Sequence, residues 1–74
     1  MKVYILILNV YAYDYYITET KFVTVNKDKM KEYVTNLDDT YFSDKRDYLN
    51  LEIWQNEINI VDAILKTKET FEQF

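Results

Sequence analysis

An α+β fold is predicted, a small antiparallel sheet with one packed helix in the order ββαββ, and three observations carry it. Apolar and β-branched residues alternate with a period of two along residues 3–12, 15–25 and 48–54, which is the pattern of strands. Met30, Tyr33, Val34 and Leu37 recur instead at i, i+3, i+4 and i+7, one face of a helix. The chain has 74 residues with no linker, repeat or low-complexity stretch, which makes residues 1–74 a single domain.

The first run is apolar on both alternating faces, with Val3, Ile5, Ile7 and Tyr11 on one and Tyr4, Leu6, Leu8 and Val10 on the other. Such a strand lies in the middle of a sheet or is covered on both sides. In the second run the apolar set changes face between Ile17 and Phe22, which predicts a bulge or bend. The turn between them, Ala12-Tyr13-Asp14-Tyr15, lacks Gly, and Asp14 is its natural left-handed residue. Asn26 is a suitable N-cap for the helix, Asp28 complements its dipole in the first turn, and Val25 is placed to staple onto Met30. The helical pattern stops at Leu37, and residues 38–47 read as a polar connection. From Tyr48 the alternation returns, with Leu49, Leu51 and Ile53 inward and Asn50, Glu52 and Trp54 outward. Gln55-Asn56-Glu57 reads as a turn with Asn56 at positive φ. Residues 58–65 then form a fourth strand and a short helical or frayed tail follows, although Ile58, Val61, Ile64, Leu65 and Phe71 also fit a helix.

Composition removes most chemistry. The chain has no Gly, Pro, Cys or His, and Ser43 and Arg46 are the single residues of their kinds. At average usage it would hold roughly five Gly and four Pro. Disulfides and soft metal ligation are excluded, and a Gly-rich phosphate loop has no glycine to build it. Ser43 has no His to activate it. Asp38, Asp39, Asp44 and Asp47 lack the spacing and the Gly of an EF-hand loop. Neither a cofactor nor a metal is expected, and the chain does not read as an enzyme.

The run Val3–Leu8 is six residues, too short to span a bilayer, and it lacks a cleavage site, so a cytoplasmic location is expected. Nine basic against thirteen acidic residues, net −4, argue against direct binding of nucleic acid or of an anionic membrane. The charge is also split. Residues 1–37 carry five Lys against four acids, net +1, whereas residues 38–65 carry seven acids against Lys45 and Arg46, net −5. Tyr41, Phe42, Tyr48 and Trp54 sit in that acidic stretch. Aromatic anchors in an acidic rim suit a basic protein surface. The candidate partner-binding residues are therefore Asp38, Asp39, Tyr41, Asp44, Asp47, Tyr48, Glu52, Trp54 and Glu57.

Lys2-Val3-Tyr4-Ile5-Leu6-Ile7, the second strand and the helix entry Asn26-Lys27-Asp28-Lys29 look like the start of many short phage-encoded proteins. In size, acidity and lack of catalytic residues the whole chain resembles the anti-CRISPR class of phage inhibitors. That class has no common fold or signature, so the resemblance assigns no residue a role. It implies stoichiometric binding to a host defence nuclease in the host cytoplasm, in some members through an acidic surface that mimics DNA. The Lys-rich helix face (Lys27, Lys29, Lys31) departs from a uniformly acidic mimic. The alternative expectation is a structural or homodimeric module that pairs through an exposed sheet edge.

Overall fold

The structure is a computed structural model that describes residues 1–43 and 46–74. It is an α+β domain, as predicted. Strands β1 (Lys2–Ala12) and β2 (Tyr15–Thr24) are followed by helix α1 (Lys27–Thr35) and a single helical turn, α2 (Thr40–Ser43). Strands β3 (Tyr48–Gln55) and β4 (Ile58–Leu65) come next, and a 3₁₀ helix spans Lys68–Gln73. The sheet is antiparallel with order β2-β1-β3-β4, so β1 is central, as its two apolar faces require.

The β1–β3 register builds the core. Tyr4 faces Ile53, Leu6 faces Leu51 and Leu8 faces Leu49. The rows continue outward through Phe22 beside Leu6, Val61 beside Ile53 and Leu65 beside Leu49. Every one of these core strand positions points to the same side. Met30 and Val34 of α1 and Phe71 of the 3₁₀ helix close over them, each at most 1% exposed. A nine-residue helix is marginal alone, so packing must hold α1 in place. Asn26 caps it, its Oδ1 accepting from the backbone N–H of Asp28 at 2.9 Å and of Lys29 at 3.2 Å. Tyr33 stacks on Phe22 with ring centroids 4.5 Å apart. Val25 stays 57% exposed, so the expected staple onto Met30 adds little burial.

The bulge predicted between Ile17 and Phe22 lies at Lys21: Leu6 pairs with Phe22 and Ile7 with Thr20, which leaves Lys21 unpaired in the ladder. The extra residue turns Phe22 into the core and Lys21 towards the helices, its ammonium 5.8 Å from the Tyr41 ring centroid. Residues 58–65 are a strand, and the tail after them is helical, capped by reciprocal hydrogen bonds between Thr67 and Thr70.

Two expectations need correction. Residues 38–47 are more than a polar connection, because α2 lies within them and Tyr41 and Phe42 pack half-buried against the core. Each hairpin turn also places both of its central residues at positive φ, not one. Tyr13 and Asp14 have φ of 49° and 72°, and Asn56 and Glu57 have 52° and 67°. The pairings Ala12–Tyr15 and Gln55–Ile58 leave two-residue loops, and the twist of a hairpin favours the type I′ turn, which needs both residues left-handed. Without Gly, a tyrosine and a glutamate occupy positions that cost about 1 kcal/mol each.

Glu57→Gly is therefore expected to stabilise the fold by about 1 kcal/mol, raising the melting temperature by about 4–8 °C in a circular dichroism melt. An unchanged or lower melting temperature would contradict the turn geometry. Phe71→Ala is expected to cost about 3–5 kcal/mol by urea denaturation. A loss below about 1 kcal/mol would show that the 3₁₀ helix is not part of the core.

Candidate protein-binding face

The period of two that fills the core also fills the opposite face. On β1 it carries Val3, Ile5, Ile7, Asn9 and Tyr11, which face Trp54, Glu52, Asn50 and Tyr48 of β3 in register from Val3 to Asn9. Tyr16, Thr18, Thr20 and Val23 flank them on β2, and Asp62 and Ile64 on β4. All three helical segments pack on the other side, so among the described residues no helix covers this face. Val23 and Ile64 are 53% and 49% exposed.

The face is saddle-shaped in chemistry, with aromatic groups at its ends and smaller side chains between. Tyr16 makes edge-on contacts with Tyr11 and Tyr48, with centroids 5.4 and 5.3 Å apart. The Arg46 guanidinium lies 5.7 Å from the Tyr11 ring, and the Tyr11 hydroxyl donates to Asp14 Oδ1 at 2.9 Å. That hydrogen bond is the main reason the Tyr11 hydroxyl titrates above its ordinary range. Trp54 stands at the other end and donates its indole N–H to Glu52 Oε1 at 2.9 Å. Between them an open cleft of about 560 Å³ is lined by residues of all four strands: Thr18, Ile7, Asn9, Tyr48, Asn50, Glu52, Asp62 and Ile64.

Glu52 and Asp62 face each other directly across β3 and β4. Like charges so placed repel, and among the described residues the lining contains no cation to offset them. Each carboxylate is instead oriented by a neutral donor, Glu52 by Trp54 and Asp62 by the Asn50 side-chain amide. Asn9 is the buried polar residue of the face, 8% exposed, with a long hydrogen bond of 3.5 Å from its amide to the Tyr48 carbonyl. Among the described residues no group of three or more Asp or Glu is gathered closely enough to hold a metal ion. What this surface offers chemically is contact: an apolar sheet face, aromatic ends and a paired negative charge.

The candidate residues read from the sequence do not share one place. Tyr48, Glu52 and Trp54 come together on the open face, and Glu57 lies in the turn beyond Trp54. Asp38, Asp39 and Tyr41 belong to the helical layer. Asp38 caps α2, its Oδ1 accepting from the Thr40 backbone N–H at 2.9 Å. That bond holds the Asp38 carboxyl below the usual carboxylate range. Its stabilisation is present above the unfolded pKa and is lost as pH falls through the lowered one. Asp39 pairs with Lys68 at 3.1 Å. Tyr41 packs against the core under Lys21. Asp47 accepts from the Tyr11 backbone N–H at 2.9 Å and so extends the β1–β3 contact past its last strand pair. Asp44 lies outside the described residues. The acidic stretch is therefore no single surface: Asp38, Asp39 and Asp47 each serve a structural contact.

Asp62, Ile7, Asn50 and Ile64 were missed as site residues. One signal for them was present, because β1 is apolar on both faces while a single nine-residue helix can cover only one. No helix among the described residues is long and apolar enough to cross a membrane.

Because Glu52 and Asp62 are opposed with no cation beside them among the described residues, Asp62→Asn is expected to raise the urea midpoint, with a gain that fades at high salt. A lowered midpoint at low salt would show that the pair does not repel in the fold.

No protein-family model, curated protein or solved structure matches this chain.

Proposed function

We propose that the protein acts by stoichiometric binding to another protein, through the open face of its sheet. The counterpart is a basic surface such as the nucleic-acid groove of a host defence nuclease, a CRISPR effector above all, which the chain inhibits by occupying it. The observation that carries this reading is the uncovered apolar face with two opposed carboxylates in its cleft. Large exposed apolar surfaces on a small domain mark contact sites, and the acidic pair selects for positive charge in what is contacted. The net charge of −4 favours association with a basic surface in the same way. Mimicry of a DNA backbone by an array of Asp38, Asp39, Asp44, Asp47, Glu52 and Glu57 draws less support, since Asp38, Asp39 and Asp47 cap, pair or hydrogen-bond within the fold.

A second reading rests on β4. It is an edge strand with Ile58 and Ile60 at 64% and 45% exposed, and it carries neither Lys nor Pro to discourage pairing with a second copy. Both edge strands carry a bulge, β2 at Lys21 and β4 at Ile60. Light scattering across concentration separates the two readings: a monomer at all concentrations removes the second.

The first reading is tested by target-DNA cleavage assays on purified CRISPR nucleases with added protein. Inhibition is expected to saturate near one equivalent, to fall at least tenfold in Ile64→Lys, and to persist in an Asp38→Lys, Asp39→Lys double variant. Loss in the double variant with retention in Ile64→Lys would move the contact to α2. Absence of inhibition of every nuclease tested would remove the nuclease as the partner.

A further inference from the structure

We propose that the cleft between β3 and β4 receives an arginine side chain of the bound protein, its guanidinium held between Glu52 and Asp62 and its apolar neighbours seated on Ile7 and Ile64. The inference rests on the reading of the open face as the binding surface and names what that surface recognises. Charge complementarity carries it. Among the described residues the cleft is lined by two carboxylates and no cation, and the cross-strand pairing sets their Cβ atoms about 5 Å apart, within reach of one shared group.

The hydrogen-bonding of the pair fits a forked donor. Trp54 engages Glu52 Oε1 and Asn50 engages Asp62 Oδ1. The second oxygen of each has no protein donor among the described residues, so Oε2 and Oδ2 remain to accept from outside. A guanidinium presents five N–H groups in a plane and satisfies two carboxylates at once, which the compact ammonium of lysine does less well. Trp54 stands beside Glu52 on the same face and offers an aromatic surface to the same cation.

The same charges exclude the other occupants. A second copy packed face to face would bring four carboxylates into one interface, and a nucleic acid would set its phosphates against two. A protein segment with an arginine between aliphatic residues meets the charge and can seat those neighbours on Ile7 and Ile64.

Trp54 is the only tryptophan and donates to Glu52 of the cleft, so its emission reports what Glu52 binds. The probes are the blocked peptide Ac-Ile-Arg-Ile-NH₂ and its citrulline and lysine counterparts, titrated against the full chain. The arginine peptide is expected to give a saturable change in emission and to bind at least tenfold tighter than the citrulline peptide, and tighter than the lysine one. The E52Q/D62N variant should lose about tenfold, whereas D38N/D39N, with the same loss of charge, should match the unaltered protein. Equal binding of the citrulline peptide, equal binding of the lysine peptide, or equal loss in D38N/D39N would each overturn the proposal. If the arginine preference holds while Ile64→Lys leaves nuclease inhibition intact, the cleft takes arginine and the functional contact lies elsewhere. If Ile64→Lys abolishes inhibition and no arginine preference is found, the binding face stands and the arginine falls.

Discussion

The ladder between β1 and β3 is the contact on which everything else in this protein depends. Its register sets Leu6 against Leu51 and Leu8 against Leu49, and these leucines are the floor on which α1 and the 3₁₀ helix rest. Because side chains alternate strictly along a strand, the same register sets Ile5 against Glu52 and Val3 against Trp54 on the far side. A slip of one residue would exchange the two faces, placing Glu52 and Asn50 under the helices. The core and the exposed face are thus one decision taken by one ladder. Among the described residues no helix spans the far side, because the helical segments all pack in a single layer.

That far side carries features that folding alone does not call for. Aliphatic side chains stand open to solvent, two carboxylates oppose each other across neighbouring strands, and their orienting partners Trp54 and Asn50 fix them in place without neutralising them. A domain of this size has little stability to spare, since it buries only about 60% of its unfolded surface. Both hairpins add to the cost by holding Tyr13 and Glu57 in left-handed backbone. A binding surface gives these costs a common reason on the sheet face. The structure supplies no such reason for Tyr13, which is 91% exposed at the tip of the β1–β2 hairpin.

Much of the fold was legible because local signals agreed with the global arrangement. The order ββαββ, the cap at Asn26, the bulge near Lys21 and the outward placement of Trp54 beside Glu52 all follow from period and residue type. Other features depended on what neighbouring elements did. Tyr41 and Phe42 sit among Asp, Thr and Ser, so their one helical turn shows no period and becomes visible only once the core offers them a place. Tyr13 and Glu57 adopt positive φ because the strand registers leave two-residue loops, a constraint no local propensity announces. The candidate site was legible only in part for the same reason. Tyr48, Glu52 and Trp54 alternate along one strand and could be grouped from sequence, whereas Asp62 joins Glu52 through a register that sequence does not state. Proximity in the chain grouped Asp38 and Asp39 with them, whereas the structure sets those two in the helical layer, one capping a turn and the other pairing with Lys68.

The central claim is that one register makes a covered face and an open one, and that the open one is where a partner sits. The absence of Cys allows it to be measured by thiol labelling of single-cysteine variants. Thr18→Cys and Ile64→Cys on the open face should react with a thiol reagent on the order of a hundredfold or more faster than Leu6→Cys and Leu51→Cys beneath the helices. Adding a protein that binds the chain should slow the first pair and leave the second unchanged. Similar rates for the two pairs, or a partner that leaves positions 18 and 64 fully reactive, would contradict the account.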